Sequence, residues 1–192
     1  MKTVVIATAA LAVAWTALPI DATHAADKPV PKFTLSSPAM KDGGYMPEKF
    51  VNSNPTSKNC SGQNVALPLT WKNAPAATKS FAITMFDPVP RGGMGFVHWV
   101  AYDIPGTATA LKEGAANNPT GFVGGKNGAG SGAWAGPCAS LADSPHPYTI
   151  TLVATDIEPG TLKPGMTRDE LVAALQGHAL GTTTFIARYH KP

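Results

Sequence analysis

The segment FDPVPRGGMGFVHWV, residues 86–100, has two apolar ends joined by a middle that is almost entirely Pro and Gly. Residues 79–87 and 95–104 are rich in β-branched and aromatic side chains, and Pro or Gly bounds them, as is typical of strands. The sequence therefore predicts two consecutive strands joined by a loop with a preset backbone. This loop would bring Asp87 and His98 to neighbouring strand ends, where it forms either an ordinary connection or a small polar site.

Strand-like segments continue along the chain. Three more have the same pattern, at 32–37, 148–157 and 182–190. One helix is predicted within residues 166–180, near 167–177, because Thr167 and Glu170 have the spacing of a capping box. Three small or apolar residues follow at helical spacing: Leu171, Leu175 and Ala179. The pattern predicts a mostly β protein, an antiparallel β-sandwich with a peripheral C-terminal helix.

Length and composition are those of one globular domain. The chain has 192 residues, of which 44% are hydrophobic and 14% charged, so it can bury a core. The net charge is +3, and its 15 basic residues are scattered rather than clustered with aromatic side chains. We therefore expect no nucleic acid among its partners.

The N-terminus has the features of a signal peptide. Lys2 precedes an uncharged, Ala- and Val-rich run, Val4–Ile20, and small residues follow it. An uncleaved anchor is disfavoured because a spanning helix needs about 20 strongly apolar residues. We predict a signal peptide at 1–25, a domain at 26–192, a periplasmic or secreted location, and no stable membrane anchor after cleavage.

Export would place the two cysteines in an oxidising compartment. Cys60 and Cys138 are the only cysteines, and an even count there suggests a bridge. Two cysteines allow a single pairing but fix no geometry. A disulfide and two separate thiols therefore both remain open.

Several catalytic and cofactor motifs are excluded by context. The glycine run at 124–132 lacks the Gly-Lys-Ser/Thr ending and the following helix of a phosphate loop, which favours a mobile loop instead. Ser131 has Ala129 and Ala133 where a nucleophile elbow requires Gly. The five histidines lack the short spacings of zinc sites. We expect no metal and no cofactor, although the long loop at 113–147 is where a site is expected.

The motifs taken together resemble the phosphatidylethanolamine-binding protein family, and most of all its bacterial Raf-kinase-inhibitor-like branch. The resemblance runs from Phe33 to Tyr189, with the motifs in family order. They are ALPLTWKNAPAATKSFAITMFDPVP, GFVHWVAYDIPG, WAGPC, HPYTITLVATDI and LVAALQGHAL. It implies a Greek-key sandwich of two antiparallel sheets with small peripheral helices, and an anion-binding pocket at one end of the large sheet.

The resemblance also implies which residues form that pocket. By motif position they are Asp87, His98, Gly136, Pro137, His146 and Tyr148. It implies binding of a small anion or phospholipid head group, of the phosphate or phosphoethanolamine type, and no enzymatic activity. The alternative is an inhibitor-like module that contacts a protease or kinase through the loops around the pocket. Because Cys60 and Cys138 fall in bacterial family motifs, their presence need not reflect export.

Physical chemistry gives each pocket residue a role. Histidine, tyrosine and backbone N–H groups supply donors for an anion, and Asp87 would orient His98 and raise its pKa rather than act as a catalytic acid. The chain also departs from the family pattern. Val89 stands where a second acid is usual, Pro147 where Arg is common, and "GPCAS" where bacterial relatives have Gly-Pro-Cys-Pro-Pro. These departures are expected at the pocket rim.

Overall fold

A computed structural model of the chain describes residues 30–140 and 144–191, so the predicted signal peptide lies outside the described residues. The residues from Pro31 onward belong to one compact unit. The elements in chain order are β1 (Thr34–Ser36), a 3-10 turn (Glu48–Phe50), β2 (Leu69–Lys72), β3 (Ser80–Asp87), β4 (Phe96–Pro105), β5 (Ala110–Leu111), β6 (Val123–Gly124), β7 (His146–Thr155), α1 (Arg168–Ala174) and β8 (Ala179–Tyr189). No helix in this part of the chain is long and apolar enough to cross a bilayer.

The strands form two antiparallel sheets. The small sheet has the order β1-β2-β5, and the large sheet has the order β6-β4-β3-β7-β8. The predicted mostly β, antiparallel sandwich is confirmed. The sequence prediction missed β2, β5 and β6, which have four, two and two residues and are too short to show a clear period of two.

The core lies between the two sheets. Trp71 of β2 packs edge-on against Phe81 of β3, with ring centroids 5.3 Å apart. On the opposite face of the large sheet, Val100 and Tyr102 of β4 pack in a second cluster with Leu171 of α1. Strands β3 and β4 are therefore covered on both faces. This explains why their sequences are continuously apolar rather than alternating.

The C-terminal helix is shorter than the sequence predicted. Its capping box is present, since the Thr167 side chain accepts from the Glu170 N–H and the Glu170 carboxylate accepts from the Thr167 N–H. The helix ends at Ala174, and Gly177 then adopts a left-handed φ of 79° that stops helical propagation. Ala179, expected on the helix, instead begins β8 and pairs with Thr155. At Ala179, pairing between β7 and β8 determines the structure, although the residue has helical spacing in the sequence.

Three strand ends of the large sheet meet at one edge. Asp87, the last residue of β3, pairs with Phe96, the first of β4, and Phe86 pairs with Thr149 near the start of β7. Because neighbouring strands run antiparallel, the β3–β4 loop and the start of β7 share this edge. The backbone topology thus brings the end of β3 close to the histidines of β4 and β7.

A β-bulge sits at the same edge. Phe86 pairs with Val97 and Met85 with Trp99, so His98 is the extra residue of the bulge. Strict alternation would place His98 and Trp99 on opposite faces. The bulge instead lets His98 reach Tyr148, a member of the inter-sheet core to which Trp99 also belongs. Alternation alone predicts the wrong face for His98.

The loop between β3 and β4 requires its glycines. Gly92, Gly93 and Gly95 all adopt positive φ, and a Cβ on Gly95 would collide with the Phe86 ring. The loop therefore has one backbone path, folded back over the strand from which it leaves.

A disulfide joins two loops at this edge of the sandwich. Cys60 and Cys138 are bonded, with Cα atoms 4.8 Å apart, within the usual range for a bridge. The bond ties the segment after the 3-10 turn to the loop that precedes β7.

Removing this cross-link should destabilise the fold. In the chain-entropy description, releasing a loop of 78 residues costs about 4 kcal/mol of unfolding free energy. We expect Cys60→Ala with Cys138→Ala to lower the urea midpoint accordingly, and the reductant-treated wild-type protein to unfold at the same midpoint as the variant. Equal midpoints for oxidised wild type and variant would contradict a stabilising bridge.

Candidate functional site

A buried acid–histidine pair occupies the edge where the three strand ends meet. The Asp87 carboxylate Oδ2 lies 2.7 Å from His146 Nδ1, and both residues are 5% exposed or less. Its other oxygen, Oδ1, accepts the Val89 N–H at 3.0 Å, which closes an Asx turn. The Asp87 carboxylate therefore hydrogen-bonds to a side chain on β7 and to its own loop.

The predicted partner of Asp87 was wrong. We expected Asp87 to orient His98, but the histidine that its carboxylate contacts is His146. Asp87 Oδ2 and His146 Nδ1 form a tight, charge-assisted geometry that fixes the imidazole ring. The sequence could not discriminate between the two histidines, because the choice depends on how β7 registers against β3.

His98 is held by a backbone carbonyl instead. Its Nδ1 lies 2.8 Å from the Ala135 carbonyl oxygen, and its ring packs edge-on against Tyr148 and Phe96, with centroids 5.1 and 4.9 Å away. Burial lowers the pKa of His98 below its usual range, and this outweighs the opposing effects of the Ala135 carbonyl and of the Asp87 charge. Asp87 acts on the pKa of His98 in the expected upward direction, but burial has the larger effect, so the expected net rise was wrong.

Tyr148 completes the polar cluster as a hydrogen-bond donor. Burial raises the pKa of its hydroxyl, as do the Asp87 charge and a hydrogen bond to the Asp87 carboxylate. The phenol therefore stays protonated across the physiological range. Its ring also stacks with that of His146, the centroids 6.2 Å apart, so one aromatic residue contacts both histidines.

The opposite wall is the loop segment 134–139. The Gly136 N–H donates to the Asn64 side-chain oxygen at 2.8 Å, and the Pro137 carbonyl accepts the Asn52 N–H at 2.9 Å. A Cβ on Gly136 would collide with the Phe50 carbonyl oxygen and the Asn52 nitrogen. Only glycine allows the wall to approach the 3-10 turn so closely.

These groups enclose a cavity of about 300 Å³. It is lined by Asn52, Cys60, Asp87, Pro90, Phe96, His98, Ala129, Ala135, Gly136, Cys138, Ala139, His146 and Tyr148. Five of the six residues predicted for a ligand site thus share one cavity. Pro137 is not among the lining residues, since it is buried behind the wall and supports it through its carbonyl.

The sequence prediction missed several lining residues. Asn52 lies in an irregular segment with no motif, and its side-chain amide is half-buried at the cavity. Phe96 was assigned to a strand with no role in a site. Both disulfide cysteines also line the cavity, so the cross-link is part of its wall. Nothing in the local sequence around Asn52 signals this position.

The rim of the cavity is formed by the β3–β4 loop. The Arg91 guanidinium lies over the Phe96 ring, 5.0 Å from its centroid, and Met94 is 84% exposed. Val89 replaces an acid of the family pattern. Its backbone N–H donates to the Asp87 carboxylate, and its side chain is partly exposed. The position does not require an acidic side chain for the Asx turn.

The glycine-rich segment is tied to this edge rather than loose. The Asn127 side-chain oxygen accepts the N–H groups of Ala129 and Ser131, and the Gly128 N–H donates to the Val97 carbonyl on β4. The segment predicted as mobile is therefore a hydrogen-bonded loop. It contributes Ala129 to the cavity lining.

Other titratable groups do not assemble into a second site of this kind. His178 pairs with Asp156 at 2.8 Å, but both side chains are more than 40% exposed. Within the described part of the chain, no group of three or more His, Cys, Asp or Glu could hold a metal ion. The Asp87 cluster is thus where buried polar chemistry concentrates.

Comparison with known proteins places this geometry in context. The sequence model of the phosphatidylethanolamine-binding protein family matches residues 36–190. The UPF0098 protein of Methanothermobacter thermautotrophicus is 31% identical over 160 residues, which is 82% of this chain and 98% of that protein. The Escherichia coli UPF0098 protein YbcL is 35% identical over 131 residues, 66% of this chain and 70% of YbcL.

Solved structures give the same result. The crystal structure of E. coli YbcL, described as a member of the mammalian PEBP family, covers 84% of this chain and 100% of its own, with a TM-score of 0.76 and 29% identity. A putative PEBP homologue from Chlamydia trachomatis, CT736, covers 83% of this chain and 98% of its own, with a TM-score of 0.72 and 28% identity. The chain belongs to the phosphatidylethanolamine-binding protein family.

Proposed function

We propose that this protein is an exported binding protein that holds a small anion or a phospholipid head group, of the phosphate or phosphoethanolamine type, in the cavity at the edge of the large sheet. The observation that carries the proposal is the burial of Asp87, His98, His146 and Tyr148 around one open pocket. Buried polar side chains cost stability unless they are paired, and they concentrate at functional sites.

The size of the cavity supports a head group as ligand. A volume of about 300 Å³ is at the lower end of small-molecule pockets, so a phosphate ester fits and acyl chains would remain outside. Potential donors converge there from the Tyr148 hydroxyl and the Asn52 amide, and the histidine rings add polar nitrogens. Most of the lining is apolar, which strengthens each of these polar contacts.

Export is the second part of the proposal. The Cys60–Cys138 disulfide suits an oxidising compartment, as does the signal-like sequence at residues 1–25. A relative in Mycobacterium tuberculosis, 33% identical over 145 residues, bears the name putative lipoprotein LppC. These features support a periplasmic or secreted location.

The proposed role is binding without catalysis. Asp87 and His146 have the geometry of an acid–base pair, but a hydrolase of this type also needs a nucleophile. Among the described residues that line the cavity there is no Ser or Thr, and both cysteines are bonded to each other. We expect no turnover in phosphatase and esterase assays, and turnover that is lost in Asp87→Asn would contradict a purely binding role.

Ligand binding should depend on the two histidines. We expect inorganic phosphate or O-phosphoethanolamine to shift the NMR resonances of His98, His146 and Tyr148. His98→Ala with His146→Ala should weaken binding at least tenfold, since each good polar contact contributes about 1 kcal/mol or more. His178→Ala, at an exposed histidine outside the cavity, is the matched control and should bind like wild type. A response that survives the double substitution would reject this site.

Ligand binding should also depend on the close approach at Gly136. Gly136→Ala must displace the wall from the Phe50 carbonyl, which moves Ala135 and with it His98. We expect weaker phosphate binding by calorimetry together with a lower melting temperature. Gly181→Ala is the control, because its Cβ would meet only side-chain atoms outside the cavity lining, those of Pro75 at 3.0 Å and Phe33 at 3.6 Å. Unchanged affinity in Gly136→Ala would show that the wall does not shape the site.

A further inference from the structure

The proton on the His98 ring has a defined position. Its Nδ1 lies 2.8 Å from the Ala135 carbonyl oxygen, which can only accept a hydrogen bond. The proton of the neutral imidazole is therefore on Nδ1. In this tautomer Nε2 carries a lone pair and acts as an acceptor, not a donor, toward whatever enters the cavity.

The fixed charges around the cavity do not favour a bare anion. Among the described lining residues the charged side chain is the Asp87 carboxylate, and no Lys or Arg lines the space. The titratable groups acting on His98 are Asp87 and His146 by charge and Tyr148 by ring contact. Arg91 lies beyond the Phe96 ring, at the rim. An anion without a proton would therefore face one negative charge and one imidazole lone pair.

We propose that the pocket binds an oxyanion together with one proton, which is shared between a ligand oxygen and His98 Nε2. The pocket therefore selects hydrogen-bearing phosphates and phosphomonoesters over sulfate. This inference rests on the function proposed above and narrows its ligand to phosphate and phosphomonoesters, since the phosphodiester of an intact phospholipid carries no proton near neutral pH. The recognition is a hydrogen bond that a fully deprotonated oxyanion cannot make without first protonating the protein.

The protons balance simply in both cases. Hydrogen phosphate brings its own P–O–H, which donates to Nε2, and no proton is exchanged with solvent. Sulfate carries no proton near neutral pH, so Nε2 must take one from water to become a donor, leaving His98 cationic. Burial lowers the pKa of His98, so this protonation is unfavourable at neutral pH. Sulfate binding is weakened as a result, because it requires the protonation.

The test is calorimetric titration of the wild-type protein with inorganic phosphate and with sulfate. Each titration is run at pH 7 and pH 8, in two buffers that differ in protonation enthalpy. We expect sulfate binding to take up about one proton and to weaken about tenfold per pH unit, as linkage requires when one proton accompanies the ligand. Phosphate binding should take up almost no protons at pH 8. Phosphate should also bind at least tenfold more tightly than sulfate.

A substitution at His98 tests whether this residue takes up the proton when sulfate binds. His98→Asn keeps an N–H where Nδ1 donates to Ala135 but lacks Nε2. The proton uptake and pH dependence of sulfate binding should both disappear in this variant. His178→Asn, outside the cavity, should leave both unchanged.

The outcomes separate the two proposals. If wild type binds phosphate and sulfate equally, without proton uptake, the proton-sharing inference is overturned and the binding function stands. Proton uptake that persists in His98→Asn also overturns it, because another group then carries the proton. If phosphate does not bind at all, both the proposed function and this inference fail.

Discussion

The buried Asp87 carboxylate is the constraint on which this end of the molecule depends. A carboxylate that is 1% exposed needs donors, since an unpaired buried charge costs several kcal/mol. Its donors are the Val89 N–H in its own loop and the His146 ring at the start of β7, and the Tyr148 hydroxyl two residues further interacts with its charge. Satisfying this one group fixes the loop direction and two side chains of the neighbouring strand.

The second constraint is the close approach of the loop wall. The 3-10 turn and the 134–139 segment meet where Gly136 has no room for a side chain, and the disulfide joins Cys138 of that segment to Cys60, which follows the turn. Ala135, next to Gly136, presents the carbonyl that sets the His98 tautomer. A backbone contact in the loop wall thereby decides whether an imidazole nitrogen in the cavity donates or accepts. The wall acts on the chemistry of the site as well as on its shape.

Sequence patterns predicted the elements that carry long apolar runs and little of what joins them. Strands β3, β4, β7 and β8 and the Thr167 capping box were evident because their signals are local. The short strands β2, β5 and β6 were not, since pairing rather than pattern defines them. The motif series brought His98, His146 and Asp87 into one proposed pocket. Which histidine Asp87 contacts depends on the register of β7 and on the bulge at His98, and neither is encoded locally.

Two of the departures from the family pattern, Val89 and Pro147, lie outside the cavity lining, whereas Ala139 of the GPCAS segment is part of it. Residues of β7 alternate between faces, so Pro147 points away from the side that carries His146 and Tyr148. Pro147 lies before the β3–β7 pairing, which begins at Thr149, and opposite Arg188 of β8. Val89 keeps the backbone contact to Asp87 and changes only what its side chain presents at the rim. Val89 and Pro147 can therefore vary without changing the buried polar groups that line the cavity.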